Sequence, residues 1–357
     1  MIMNETTKNL ATVAVFGATG HTGRFVVAEL LRREMKPIAI ARNPEALAAA
    51  DFPETVDRRP ATVDDGDSLD RALHGAQTVI NCAGPFVDTA EAVAAAAMRA
   101  KIHYLDVCAE QLAANGTLEK FDEPARKAGV VVVPSVAFYG GLPDLMATAA
   151  LGQWDSADSI EIMIGLDSWH PTAGTRITIG RIGTPKVFTG GRLIPVPPSP
   201  ARAKWDFGSQ IGNQTLVEVP FSEMALIPRH VKTPEVRTYL NSVAVSDVQN
   251  AATPKPKPAD ETGRSQQRFV IEVEVRRGSG LRRATMRGRD IYAITAPLVC
   301  EAVERLLKGK VAAAGAYAPG EIFDAKHFLA DIDPEHSSFE VTESSISSRE
   351  EQEGKAS

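Results

Sequence analysis

Cysteine is scarce in this sequence. Cys82, Cys108 and Cys300 are the three among 357 residues. The odd number and wide spacing exclude a disulfide framework and predict reduced, buried thiols and no metal centre. Excess positive charge is also lacking: 39 Lys and Arg stand against 45 Asp and Glu, a net charge of −6, so neither nucleic acid nor an acidic membrane surface is an expected partner. A membrane span is not expected either, because the long uncharged stretch Ala128–Pro143 is broken by Gly129, Pro134, Gly140 and Gly141. The opening residues MIMNETTKNL are polar and do not read as a signal peptide, so the expected location is the cytoplasm. No internal repeat stands out.

What is present begins with length. A chain of 357 residues, 44% of them hydrophobic, exceeds one ordinary core, and two domains are expected. The stretch Ala11–Arg33, ATVAVFGATGHTGRFVVAELLRR, organises the first. Val13, Val15 and Phe16 suit a parallel strand buried on both faces. Phe25, Val26, Leu30 and Leu31 recur at helical intervals, and Gly17, Gly20 and Gly23 stand between strand and helix. A diphosphate needs bare backbone at such a turn, with unpaired N–H groups and the positive end of the helix dipole facing it. The residues read as lining it are Gly17, Ala18, Thr19, Gly20, His21, Thr22 and Gly23.

Further strand-like runs at Pro37–Ala41, Arg59–Val63, Thr78–Asn81, His103–Val107 and Val130–Val133 alternate with helical ones. The alternation predicts an α/β fold, a Rossmann-type doubly wound parallel sheet over residues 9–145 that binds its ligand at the strand carboxyl ends. Where NAD-preferring folds usually place an acid, this sequence has Arg42 followed by Asn43. A guanidinium there suits the extra phosphate of NADP, so NADP(H) is the expected cofactor. Thr62–Asp64 lie where an adenine would rest, and the small residues Cys82, Ala83, Gly84 and Pro85 would let the nicotinamide ribose sit against backbone.

Residues 146–289 read as a second α+β domain for substrate and dimerisation, built on a mostly antiparallel sheet. Ser159–Leu166 and Thr175–Ile179 are expected strands. Arg268–Val275 and Leu281–Arg287 alternate around Gly278-Ser279-Gly280 as a hairpin. The loops Pro195–Pro200 and Thr253–Pro258 are expected to be exposed. Within 290–330, the amphipathic segment Thr295–Leu307 is expected to pack back on the nucleotide domain. Residues 333–357 are acidic and serine-rich and are expected to be disordered. Arg276, Arg277, Arg282, Arg283, Arg287 and Arg289 form the densest basic cluster, expected as a solvated face paired to Glu272 and Glu274.

Four stretches, FGATGHTG, INCAGPF, HYLDVCAE and PSVAFYGGLPDL, together resemble the saccharopine dehydrogenase-like reductases, with a looser likeness at DIYAITAPLVCEAVERLL. The resemblance implies an NADP-binding oxidoreductase, often a homodimer, that passes hydride to or from a carbon bonded to nitrogen, or in some branches to a conjugated C=C bond. It implies that Gly17, Thr19, Gly20, Gly23, Arg42, Cys82, Ala83, Gly84 and Pro85 line the cofactor. Ala109, in place of a glycine, and Phe138-Tyr139-Gly140, in place of a Phe-Asp pair, depart from the family pattern, so substrate identity does not carry over.

Hydride transfer asks the protein to align cofactor and substrate, exclude water and handle one proton. The candidates are Glu110, Tyr139, Tyr104 and Asp106. Tyr104 and Asp106 are expected on opposite faces of their strand, so that at most one meets the cleft. Glu110 can bind a substrate amine or relay a proton, and Tyr139 can donate one. His170 and His230 are weaker candidates from the second domain. The leading reading is an NADP(H)-dependent oxidoreductase acting on the imine, or the matching secondary amine, of a small-molecule substrate. Conjugated C=C reduction, or a non-catalytic NADP(H)-binding redox sensor, are the alternatives.

Overall fold

β-Branched runs in the first third of the chain lie side by side and in parallel in a computed structural model that describes residues 10–181, 183–310, 313–332 and 337–345. β1 (Thr12–Phe16), α1 (His21–Arg32), β2 (Lys36–Ala41), α2 (Pro44–Ala48), β3 (Asp57–Pro60) and α3 (Gly66–Leu73) form the first half of the nucleotide domain. β4 (Thr78–Asn81), α4 (Phe86–Ala100), β5 (His103–Asp106), α5 (Gln111–Ala128) and β6 (Val131–Val133) form its second half, and α6 (Gly141–Leu151) leads out of it. Asp65, the expected cap of α3, accepts a hydrogen bond from Ser68 N at 3.1 Å.

The second domain runs through β7 (Ser159–Leu166), α7 (Ala173–Ile179), β8 (Lys186–Thr189), β9 (Arg192–Pro195), β10 (Arg202–Asp206), β11 (Asn213–Glu218), α8 (Glu223–Leu226), β12 (Glu235–Asn241), α9 (Ser242–Gln249), β13 (Arg268–Arg277) and β14 (Gly280–Arg289). The chain then returns through α10 (Thr295–Leu307), β15 (Gly315–Ala316), α11 (Pro319–Ile322) and α12 (Ala325–Ala330) to β16 (Ser337–Ser345).

The parallel sheet has seven strands in the order β15-β6-β5-β4-β1-β2-β3, so its last strand comes from the far end of the sequence. Strand order reverses between β1 and β4, and the crevice above their carboxyl ends is where such sheets take a ligand. The second sheet runs β10-β11-β12-β7-β13-β14-β16, with β8 and β9 attached beside β12; β12 and β7 are parallel and its other pairs antiparallel. One hydrophobic cluster spans both domains, from Val13 and Ile80 through Leu142 and Met146 to Ile164, Phe269 and Val299.

α10 packs on α1, where Arg33 pairs with Glu301 and Glu304 at 2.7 Å each. The basic hairpin is held by carboxylates: Arg276 and Arg283 bind Glu274, Arg283 also meets Glu272, Arg287 binds Glu340, and Arg289 pairs with Asp260.

Two expectations are corrected. Thr175–Ile179 is helical, not a strand. Its β-branched residues suggested extension, but Thr172 caps the segment by accepting from Thr175 N at 3.0 Å, and α7 buries none of its residues. Ser337–Ser345, expected within a disordered tail, pairs along nearly all of β14 as β16, where Glu340 and Glu343 meet Arg287 and Arg282. The rest of that stretch, 333–336 and 346–357, lies outside the described residues.

The chain's return is fixed at one buried carboxylate. Asp144, at the start of α6, meets His230 Nε2 at 2.7 Å and accepts from Gly320 N at 2.6 Å. Burial pulls the His230 pKa down, but Asp144 outweighs it and the net direction is upward. The folded state therefore holds this proton more tightly than the unfolded chain. The resulting stabilisation is complete below the ordinary histidine pKa and is lost as pH rises through the elevated one. Urea titrations should show stability falling across that window in the wild type. In His230→Gln the fall should be reduced, with an overall loss of about 2–3 kcal/mol at the acidic end. Identical pH slopes in the two proteins would remove His230 as the source.

Candidate active site

The turn after β1 is built to be bare. Gly17 has φ of 83°, and a Cβ on it would lie 2.9 Å from Ala83 in the turn after β4. A Cβ on Gly23 would lie 2.2 Å from the Gly17 carbonyl oxygen. No side chain fits at either place, so the first turn of α1 closes onto its own glycine loop. Gly17 N and Ala18 N are held by Ile40 O at 2.9 and 3.1 Å.

Above this floor lies a cavity of about 680 Å³ between the two domains. The nucleotide domain contributes Gly17, Thr19, Gly20, His21, Thr22, Arg42, Thr62, Asp64, Cys82, Ala83, Gly84 and Glu110. Arg42 sits just past β2, exposed, and makes no ion pair among the described residues. Burial pushes the Cys82 thiol pKa up and leaves it protonated.

The other wall joins residues of the second domain to Tyr139, from the loop after β6, and Tyr292, from the returning chain, and was largely missed by sequence reasoning, although Tyr139 was named. Tyr139 stacks on Phe221 at 4.1 Å between ring centroids and leans on Trp169 at 5.4 Å. Trp169 Nε1 donates to Tyr292 Oη at 3.0 Å, and Tyr292 Oη also lies 3.0 Å from Thr175 Oγ1. These residues share the cavity with Thr172 and Thr178, and a Cβ on Gly84 would lie 3.1 Å from Thr178 Oγ1. The run DSWHP gave only its histidine as a candidate; Trp169, one residue earlier, is the one that lines this cavity, while His170 lines a neighbouring one. His230 is engaged with Asp144 and lines neither.

Two polar atoms on the cavity wall, His21 Nε2 and Tyr139 Oη, are buried without a hydrogen-bond partner among the described residues. Burial lowers the His21 pKa against the pull of Asp290, and burial raises that of Tyr139 well above the ordinary phenol, so both are neutral. A bare glycine floor, free donors and an unpaired guanidinium together fit a dinucleotide.

Several expected site residues stand elsewhere. Ala18 is fully buried beneath the turn, and Gly23 and Pro85 support the walls without lining the cavity. Asn43 caps α2, its Oδ1 accepting from Ala46 N at 2.8 Å. Tyr104 and Asp106 are not on opposite faces. Residues two apart on a strand share a face, and Tyr104 Oη donates to Asp106 Oδ2 at 2.9 Å. Both are fully buried and neither lines the cavity, which removes them from contact with a substrate. Asp106 instead accepts from Cys108 N and Ser135 N at 3.1 and 2.7 Å and ties together the loops after β5 and β6. Glu110 does line the cavity, but its oxygens accept from Phe86 N at 2.9 Å and Ala109 N at 3.0 Å. Burial raises its pKa against those two donors.

Comparison with known proteins agrees with this geometry. Residues 13–133 match the family model described as the saccharopine dehydrogenase NADP binding domain. A probable mitochondrial saccharopine dehydrogenase-like oxidoreductase of Arabidopsis thaliana is 28% identical over 193 residues, covering 48% of this chain and 42% of that protein. A saccharopine dehydrogenase-like oxidoreductase of Rattus norvegicus is 28% identical over 145 residues, 35% of this chain and 34% of that one. The chain thus matches less than half the length of these relatives. Apo saccharopine dehydrogenase (L-Glu forming) from Saccharomyces cerevisiae shares the fold, with a TM-score of 0.66 at 13% identity, covering 93% of this chain and all of that one. Among the described residues no helix is long and apolar enough to cross a membrane.

If Arg42 meets the 2′-phosphate, Arg42→Ala should raise the Kd of NADPH about tenfold and leave that of NADH nearly unchanged in fluorescence titrations. Equal affinity of the wild type for the two nucleotides would remove that role from Arg42. The glycine floor, the open cavity above it and the similarity of residues 13–133 to the saccharopine dehydrogenase NADP binding domain together support NADP(H) as the ligand of this cavity.

Proposed function

We propose that the chain is an NADP(H)-dependent oxidoreductase acting at the C=N bond of a small molecule, or on the matching secondary amine, with Tyr139 managing the proton. The observation that carries this reading is Tyr139: the residue lines the cavity that the glycine turn floors, and its hydroxyl is buried without a partner among the described residues. NADPH, when held over the glycine turn, would supply the hydride that the substrate carbon takes up. The phenol of Tyr139 donates its proton to the substrate nitrogen, and its ring is held in place by Phe221 and Trp169. An upward-shifted phenol pKa keeps that proton in place until a stronger base develops beside it, and an amide anion forming from C=N is such a base. Glu110 positions the turn at Cys82–Phe86 through the Phe86 N–H and is not the proton donor in this scheme.

The wall formed by Tyr139, Phe221, Trp169, Tyr292 and the threonines offers aromatic surface and neutral hydroxyls. That neutrality favours a second reading, reduction of a C=C bond conjugated to a carbonyl. There a neutral phenol would hydrogen-bond the carbonyl oxygen, and no anion would be needed to stabilise an iminium cation.

Nicotinamide absorbance assays with panels of cyclic imines, secondary amines and enones separate the two. Tyr139→Phe should lower kcat about a hundredfold with NADPH affinity nearly unchanged. Unaltered turnover in that variant would overturn the role of Tyr139. Turnover of enones alone would select the second reading, and tight NADPH binding without turnover on any panel would overturn both.

A further inference from the structure

The cavity holds few cations for a ligand as anionic as NADP(H). Among the residues that line it, only Arg42 and Lys255 carry a full positive side-chain charge. Arg42 stands at the end of β2, on the side expected for the ribose phosphate. Lys255 comes from the second domain, in the loop PKPKP that follows α9. It is exposed and makes no hydrogen bond or ion pair among the described residues. The loop crosses beside the first turns of α1: a Cβ on Gly263, farther along it, would lie 3.6 Å from the Phe25 ring. Tyr292, which shares a neighbouring cavity with Pro256, meets the His21 ring at 5.2 Å.

We propose that Lys255 is a second-domain anchor for the diphosphate of the bound dinucleotide, completing from above the cradle that the glycine turn makes from below. The inference rests on the cavity being the NADP(H) site. Backbone N–H groups at the turn supply donors but only partial charge, and the ammonium adds the full charge that a diphosphate favours. The same contact links cofactor to substrate wall. Thr253 O and Asn250 O, at the root of the loop, accept from Arg176 Nη2 at 2.8 and 3.2 Å. Arg176 belongs to α7, whose Thr175 and Thr178 line the substrate end. α7 has no buried residue of its own, so its position depends on such ties. Drawing Lys255 onto the diphosphate therefore steadies α7 over the reacting end and favours binding of cofactor before substrate.

Lys257, two residues on, lines the neighbouring cavity and not this one, and serves as the control. Binding is measured by titration calorimetry with NADPH and with NADH on the full chain. Lys255→Ala should raise both Kd values roughly tenfold and by similar factors, because both nucleotides share the diphosphate. Its Kd should also depend less steeply on ionic strength than that of the wild type, while Lys257→Ala binds like wild type. Wild-type affinity in Lys255→Ala, or equal losses in both variants, overturns the anchor and leaves the cofactor site intact. A loss confined to NADPH moves Lys255 to the 2′-phosphate and also overturns the assignment. If the wild type binds neither nucleotide, the cofactor reading fails and the anchor fails with it.

Discussion

Contact between bare backbones decides the shape of this molecule. The carbonyl of Gly17 lies where a Cβ on Gly23 would be, and Gly17 itself is pressed against Ala83. Two strand-end loops and the start of a helix thus meet at distances no side chain would permit. The strand order reverses there, β4 lying on one side of β1 and β2 on the other, so the crevice opens directly above this contact. Any larger residue would lift α1 off its turn, rotate the N–H groups of its first residues, His21 and Thr22, and widen the floor. The selectivity of the cavity for a thin, anionic ligand follows from that exclusion of side-chain volume.

A floor of this kind binds but does not by itself position a second reactant, and the rest of the chain supplies that. Gln111, at the start of α5, reaches across with its amide: Nε2 donates to Lys186 O at 2.7 Å and Phe221 O at 3.0 Å, and Oε1 accepts from Lys186 N at 2.9 Å. The carboxylate of Asp88 on α4 takes Arg181 in two hydrogen bonds at 2.6 and 2.9 Å. The amide bridge sets Phe221, and through it the stacked ring of Tyr139, against the nucleotide domain. The ion pair holds the end of α7 near Gly84. Exposed ion pairs contribute little to stability, and their value here is geometric, since α7 has no core of its own.

Most of the nucleotide domain was legible because its signals are local. A strand buried on both faces, a glycine triplet and a helix with one apolar face each declare themselves within a few residues, and their order implies the topology. The upper wall was not legible for the converse reason. Trp169, Phe221 and Tyr292 are isolated aromatics separated by dozens of residues, and only the fold of the second sheet brings them to one place. Thr175–Ile179 misled because β-branched composition was weighed without the capping threonine before it. β16 was hidden because its acidic, serine-rich composition resembles a solvated tail, while its partners are arginines on β14 some fifty residues earlier. Tyr104 and Asp106 illustrate another limit: their types suggest catalysis, yet the strand directs both into the interior.

That buried pair has its own bearing on the site. Asp106 lies fully buried, where burial raises its pKa, while Ser135 N, Cys108 N and Tyr104 Oη donate to it. Asn81, at the end of β4, joins the same network through Tyr104 Oη at 3.4 Å and Thr89 Oγ1 at 3.1 Å, while its own Oδ1 accepts from Ala83 N at 3.0 Å. Three consecutive strand ends are thereby fastened from beneath, and the residues above them, Ala83, Glu110 and Tyr139, inherit fixed positions. A polar network satisfied in this way is rigid, because losing one member leaves others desolvated and unpaired. Tyr104 and Asp106, which look reactive in the sequence, therefore lie below the cavity as its foundation, and its lining is left to Glu110, Tyr139 and their largely neutral neighbours.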